Sequence, residues 1–149
     1  MKSMAAMITI LRVAMGWVFL GAGLDKLLAE GGWSAAGYLR GATGPFAGLF
    51  QSLAGVAWVD QLNMWGLTLI GVALIIGVAV RWSSFWGIVV MLSYYFAHFD
   101  QNTANGWMDS HVIYALLLLT FLVVGAGSWY GLDSKLRASS GVRRWLLSG

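Results

Sequence analysis

The sequence contains no cysteine, one proline and few charges: Lys, Arg, Asp and Glu together make up 10% of its 149 residues. The lack of cysteine excludes disulfide staples, thiolate metal ligands and dithiol exchange, and with them any thiol oxidoreductase. The single proline, Pro45, lies outside every long apolar run, so each run can form an unbroken helix that satisfies its own backbone groups. The scarcity of charge excludes an ordinary soluble domain, which is about one quarter charged. The formal net charge of +3 comes mostly from a few clustered residues, so it reports membrane orientation and not a nucleic-acid surface.

What is present is apolar. Hydrophobic residues make up 59% of the chain and the mean hydropathy is +0.74. They arrive in four blocks, at 4–24, 62–80, 82–99 and 111–129, each close to the roughly 20 residues a membrane helix needs. The first block follows a basic residue as a signal peptide would. It reads instead as a retained span, because it is long enough to cross the hydrocarbon and no convincing cleavage site follows. The expected fold is an all-α integral membrane protein, an antiparallel four-transmembrane-helix bundle over residues 1–133 with a basic cytoplasmic tail at 134–149.

Two connections carry expectations of their own. Little more than Arg81 separates the second and third spans, which predicts a tight hairpin with Ser83 or Ser84 as the N-cap of the third helix. Between spans 1 and 2, residues Phe46, Leu49, Phe50, Leu53, Val56 and Ala57 recur at helical spacing. This predicts one interfacial helix, with Pro45 in its first turn, packed over the mouth of the bundle.

Basic residues set the orientation. Lys2, Arg81, Lys135, Arg137, Arg143 and Arg144 fall on one side of a four-span chain. Lys26 and Arg40 face Asp25, Glu30, Asp60, Asp100 and Asp109 on the other. By the positive-inside rule both termini are cytoplasmic and the protein is a multi-pass component of a prokaryotic plasma membrane. The lipid bilayer is its first partner. The glycine-bearing faces leave room for a homo-oligomer or a redox partner subunit.

The candidate chemistry lies in a few polar residues. Arg12, about two turns inside the first span, would cost about 3 kcal/mol if unpaired and at the bilayer centre. It therefore snorkels to the interface, pairs, with Asp133 as a candidate partner, or anchors an anionic or carbonyl ligand. Arg12, Gly16, Phe19, Gly23 and Lys26 form one helical stripe. The stretch HFDQNTANGWMDSH gathers His98, Asp100, Asp109 and His111 between the last two spans. Imidazole with carboxylate suits a proton relay. The spacing matches no metal motif, and two histidines in one hairpin leave little room for a porphyrin, so neither metal nor haem is expected. Asp109 or Ser110 also stands where the fourth helix needs an N-cap. Trp33, Tyr38, Trp58, Trp65, Tyr94, Tyr95, Trp107 and Tyr114 crowd the same end, as an interfacial belt with a subset able to stack on a flat ring.

The segments LRVAMGWVFLGAGLDKLL, GWSAAGYLRGATGPFAGLF, MWGLTLIGVALIIGVAVRW, DSHVIYALLLL and GAGSWYGLD resemble the DoxX family of small four-helix membrane proteins. That family includes the DoxD subunit of thiosulfate:quinone oxidoreductase. The resemblance implies a role in membrane redox or sulfur metabolism with a quinone as electron acceptor. Arg12, Asp25, Lys26, Arg81, His111 and Asp133 fall on these segments, whereas His98 and Asp100 do not. On this reading an outer pocket binds quinone, with His111, Asp109 and Lys26 in catalytic roles and Asp25, Tyr94, Arg12 and Trp65 in contact with the ligand. The competing reading is a non-catalytic membrane scaffold, or a partner subunit of a redox complex.

Overall fold

The structure, a computed structural model, describes residues 2–101 and 105–133. The expected basic tail at 134–149 lies outside the described residues. Every regular element among them is helical. Four long helices, α1 (Lys2–Leu27), α4 (Ala57–Ile76), α5 (Val80–Ala97) and α6 (Ser110–Val124), are joined by the short helices α2 (Ala36–Arg40) and α3 (Ala47–Ser52) and by single 3-10 turns.

α1 packs along α4, α5 along α6, and α4 meets α5. Met15, Phe19, Leu67, Leu74, Leu118 and Phe121 fill the centre between them. The buried face of α1 is the stripe Arg12, Gly16, Phe19 and Gly23. Its glycines are there because α4 crosses at backbone contact: a Cβ on Gly16 would stand 2.8 Å from Ile75 Cγ1 and 2.9 Å from the Gly71 carbonyl. Gly23 meets Thr68, and Gly71 meets the backbone of Leu20, just as closely. Such close contact replaces side-chain interdigitation with direct backbone packing.

α1 and α4, at 26 and 20 residues, are long and apolar enough to cross a membrane. The outside of the helices is rich in large apolar side chains, including Ile10, Trp17, Leu62, Leu69, Trp86 and Val123. This surface suits a lipid bilayer and not water. α6 is apolar but only 15 residues long, about 22 Å at 1.5 Å per residue. It ends earlier than the sequence predicts because Gly125 turns left-handed (φ 62°) and a 3-10 turn at Ala126–Ser128 follows.

Two further expectations are corrected. The segment after Pro45 forms no single interfacial helix. α3 stops at Ser52, Gly55 takes φ +84°, and Val56 is extended, so Ala57 opens α4 instead of closing an interfacial helix. Neither Ser83 nor Ser84 caps α5; both are buried within it. The turn is 77–79, where Gly77 and Ala79 are both left-handed. The cap comes from 54 residues away: Asp133 Oδ1 accepts from Ala79 N at 2.9 Å and Oδ2 from Val80 N at 3.3 Å.

Candidate functional site

Asp109 is extended immediately before α6, and its Oδ1 accepts from Val112 N at 3.0 Å, as an N-cap should. Its Oδ2 lies 2.6 Å from His111 Nδ1. Partial burial works against the Asp109 charge. The hydrogen bonds from His111 and from the Val112 N–H outweigh that penalty and hold the carboxyl below its ordinary value. An ionised carboxylate can only accept, so His111 Nδ1 carries the proton and its Nε2 is left to accept one or to bond a ligand. Asp109 thus both caps α6 and fixes the tautomer of the histidine two residues ahead.

Tyr94 of α5 packs edge-on to His111, with ring centres 5.7 Å apart. Its hydroxyl donates to Asn63 Oδ1 on α4 at 2.9 Å. Tyr38 of α2 donates to the Tyr94 carbonyl at 3.2 Å, and its ring centre lies 5.8 Å from Tyr94 and 4.1 Å from His98. Burial first, then the neighbouring Tyr94 and Asp109, push the Tyr38 hydroxyl up to about 12, so at neutral pH it serves as a donor. The row His98, Tyr38, Tyr94, His111 joins four aromatic rings from α2, α5 and the start of α6.

The remaining predicted residues are elsewhere. Lys26 donates to the Ala22 carbonyl at 3.1 Å and covers the Trp33 ring at 5.2 Å. Asp25 is exposed, and Trp65 is 52% exposed on the outside of α4. Asp60 accepts from Ala35 N, which ties the chain after α1 to the start of α4. Asp100 is exposed. No group of three or more His, Asp or Glu able to hold a metal ion occurs among the described residues.

Arg12 lies at the opposite end of the helices from His111. It is 1% exposed, and its Nη1 donates to the carbonyls of Ala126 at 2.8 Å and Trp129 at 3.4 Å. Thr9 reaches the same Trp129 carbonyl. Asp133 is near enough to interact electrostatically with Arg12, but its oxygens are bonded to the α5 N-terminus. The expected Arg12–Asp133 pair is therefore two backbone clamps side by side. Three glycines make the space: a Cβ on Gly77 or Gly131 would stand 2.8 or 2.9 Å from Arg12 Nη1, and one on Gly127 would collide with the Asp133 carboxylate.

Sequence reading did not single out Asn63, which no motif marks. It also did not single out the glycines of GAGSWYGLD, although three glycines within seven residues beside an Asp signal a close backbone approach.

The family model described as DoxX matches residues 7–99. The match runs from the first turns of α1 through α5 and includes Arg12, Lys26, Asn63, Tyr94 and His98, while Asp109, His111 and Asp133 lie beyond it. Neither the search of curated proteins nor that of solved structures returned a match. With the match covering more than half of its length, the chain belongs to the DoxX family.

Proposed function

We propose that the protein is a quinone-linked membrane redox component. Its four long helices would cross the plasma membrane of a prokaryote as an antiparallel bundle, with both termini cytoplasmic and the His111 end outside. The observation that carries the reading is the 2.6 Å bond between Asp109 and His111. It leaves an oriented imidazole Nε2 beside the edge of Tyr94, which is the arrangement a proton-exchanging group needs next to a flat ring. Reduction of a quinone takes two electrons and two protons. The electrons would come from a small reductant, such as an oxo-sulfur species, or from a partner subunit, and His111 would pass protons to a quinone oxygen. Lys26 stands at the same end, where it would draw an anionic reductant toward the site.

Three measurements test this reading. Solvent extraction of purified protein should yield stoichiometric quinone. His111→Ala should abolish quinone-linked turnover while the helices stay folded, and His111→Gln should do the same, since the amide bonds but does not titrate near neutral pH. In intact cells an impermeant thiol reagent should label Asn105→Cys and not Lys2→Cys, the reverse result inverting the topology.

The scaffold reading is favoured by a different observation. Arg12 and Asp133 bond to the backbone, which is how intramembrane charges behave when they serve assembly. Full turnover and full quinone content in both His111 variants would make that the better reading.

A further inference from the structure

Arg81 follows the turn between α4 and α5, as the second residue of α5. It is half-buried. Its Nε is enclosed, near enough to the left-handed Gly125 that a Cβ there would stand 4.0 Å away. The stem of the guanidinium thus lies at the C-terminal end of α6, whose partial negative charge suits a cation. The fork is not used. Nη1 and Nη2 lie at the surface, and no hydrogen bond or ion pair holds them among the described residues.

The other charges near it are engaged with the backbone: Arg12 donates to carbonyls, and Asp133 accepts from the α5 amides. Among the described residues of this end, Lys2, Arg12 and Arg81 stand against Asp133 alone. The end therefore carries surplus positive charge, and Arg81 presents it outward.

An arginine that only snorkels to water would need nothing further. What distinguishes Arg81 is the surface beneath it. Phe85, Val89 and Leu92 follow it on one face of the helix, and all three are exposed. Trp82 and Trp86, also exposed, flank this stripe, with the Phe85 and Trp86 rings edge-on at 5.4 Å. From Arg81 to Leu92 the helix rises about 16 Å at 1.5 Å per residue. One leaflet contributes roughly 15 Å of hydrocarbon. An apolar strip one leaflet deep, topped by a cation with a free fork and bordered by tryptophans, matches a single lipid in length and polarity.

We propose that Arg81 and this stripe hold one acidic phospholipid. Its phosphate takes the two Nη groups in the bidentate geometry that arginine offers, and an acyl chain lies along Phe85, Val89 and Leu92. Net charge selects the lipid, because a zwitterionic head carries its own ammonium, which the surplus cations of this end repel. The site lies at the opposite end from His111. It stands whether the protein is a redox component or a scaffold.

The test uses the full-length protein in dodecyl maltoside with dioleoyl phosphatidylglycerol or dioleoyl phosphatidylcholine, read by native mass spectrometry. The wild type should retain the phosphatidylglycerol about 5-fold more tightly, the effect of one cation at the membrane surface. Arg81→Gln should remove that preference. Arg40→Gln, an equal loss of charge at the opposite end, should leave it intact. Position is read without altering Arg81. Since the chain has no native cysteine, a nitroxide can be placed on Trp82→Cys or on Asn105→Cys. The first should broaden the phosphorus-31 resonance of bound phosphatidylglycerol and the second should not. Equal retention of the two lipids by the wild type overturns the proposal. So does a preference kept in Arg81→Gln, which would assign it to the basic tail, or one lost equally in Arg40→Gln. Should the glutamine variant fail to fold, broadening that is absent with the Trp82 label, or equal with the Asn105 label, overturns it alone.

Discussion

The two ends of the helices use their polar residues differently. At the Arg12 end, the charged side chains are turned onto the backbone: Arg12 holds the carbonyls after α6, and Asp133 holds the first amides of α5. Glycines at 77, 127 and 131 let the chain approach the two charged groups more closely than a side chain would allow. At the His111 end, Tyr94 of α5 bonds Asn63 of α4, Asp109 bonds His111 at the start of α6, and imidazole nitrogens are left with capacity. A buried charge is therefore not in itself a sign of chemistry. What distinguishes the two ends is the partner of the bonds that are made: Arg12 and Asp133 bond the backbone, although Arg12 Nε and Arg81 Nε are left without a partner, whereas Tyr94 and His111 bond other side chains.

The largest effects should come from unpicking the Arg12 end. Asp133→Ala strips one buried and one partly buried amide of their acceptor and leaves Ala79 in a left-handed turn without its hydrogen bond. Losing a cap and leaving N–H groups unpaired should cost about 3 kcal/mol or more. Arg12→Leu, which takes the charged donor from the Ala126 and Trp129 carbonyls and leaves them the longer bonds from Trp129 N and Thr9 Oγ1, should cost about 1.5–3 kcal/mol. Unfolding in detergent measures both. Because both residues fix segment 125–133, the double variant should cost less than the sum of the two. Losses under about 1 kcal/mol in both single variants, well short of what unpaired buried groups cost, would erase the contrast between the ends.

A middle-sized effect tests the part common to both ends, the α1–α4 crossing. Gly71→Ala and Gly23→Ala force backbone apart and should cost about 1–3 kcal/mol each. Gly21→Ala and Gly66→Ala, where nothing lies within 4 Å, should stabilise by up to about 1 kcal/mol through helix propensity. If all four behaved alike, the close crossing would be wrong.

The sequence announced the long helices through the length and apolarity of their runs, and the buried stripe of α1 through the spacing of Arg12, Gly16, Phe19 and Gly23. It announced the Asp109–His111 dyad because both partners are local, two residues apart at a helix start. It did not announce that Asp133 caps α5. That bond spans 54 residues, and no local pattern encodes it, so Ser83 and Ser84 looked like the natural caps. The break at Gly55 was hidden for a related reason. Apolar residues kept helical spacing across it, and only the left-handed backbone at that glycine ends the helix. Asn63 was illegible as a neighbour of Tyr94 because its bond depends on which helices meet, and periodicity does not state that.

At the His111 end, Asp109→Ala should cost about 1 kcal/mol at neutral pH through the lost cap. The same change should abolish the tautomer control that His111 needs, so quinone-linked turnover should fall even where the fold persists. The pH dependence has a definite sign. The Asp109 carboxyl is held below its ordinary value in the folded state, so its stabilisation is complete above the unfolded value of about 3.9. It is lost as pH falls through the lower folded value. The wild type and Asp109→Ala should therefore begin to converge in stability below about pH 4 and meet only below the lower folded value, where protonation has removed the wild type's advantage. A difference that persists undiminished in acid would mean that Asp109 acts by packing and not as a charged cap.

The smallest effect concerns Tyr38, whose ring lies against His98. Tyr38→Phe deletes one exposed hydroxyl bond to the Tyr94 carbonyl and keeps the ring against His98, so global stability should fall by about 0.5–1 kcal/mol at most. The local consequence should be clearer. Amide exchange at Leu39, Gly41 and Ala42 should rise by about 2- to 5-fold, the equivalent of that energy in local opening, while amides of α1 and α4 stay as they were. The effect should also be flat across the physiological range. The Tyr38 hydroxyl is pushed up to about 12, so its bond is present below the unfolded value of about 10 and is lost only as pH rises through the folded one. This is the opposite pH signature to that of Asp109, although the two residues belong to one site. Exchange that rose equally along α1 would show that α2 is part of the rigid frame.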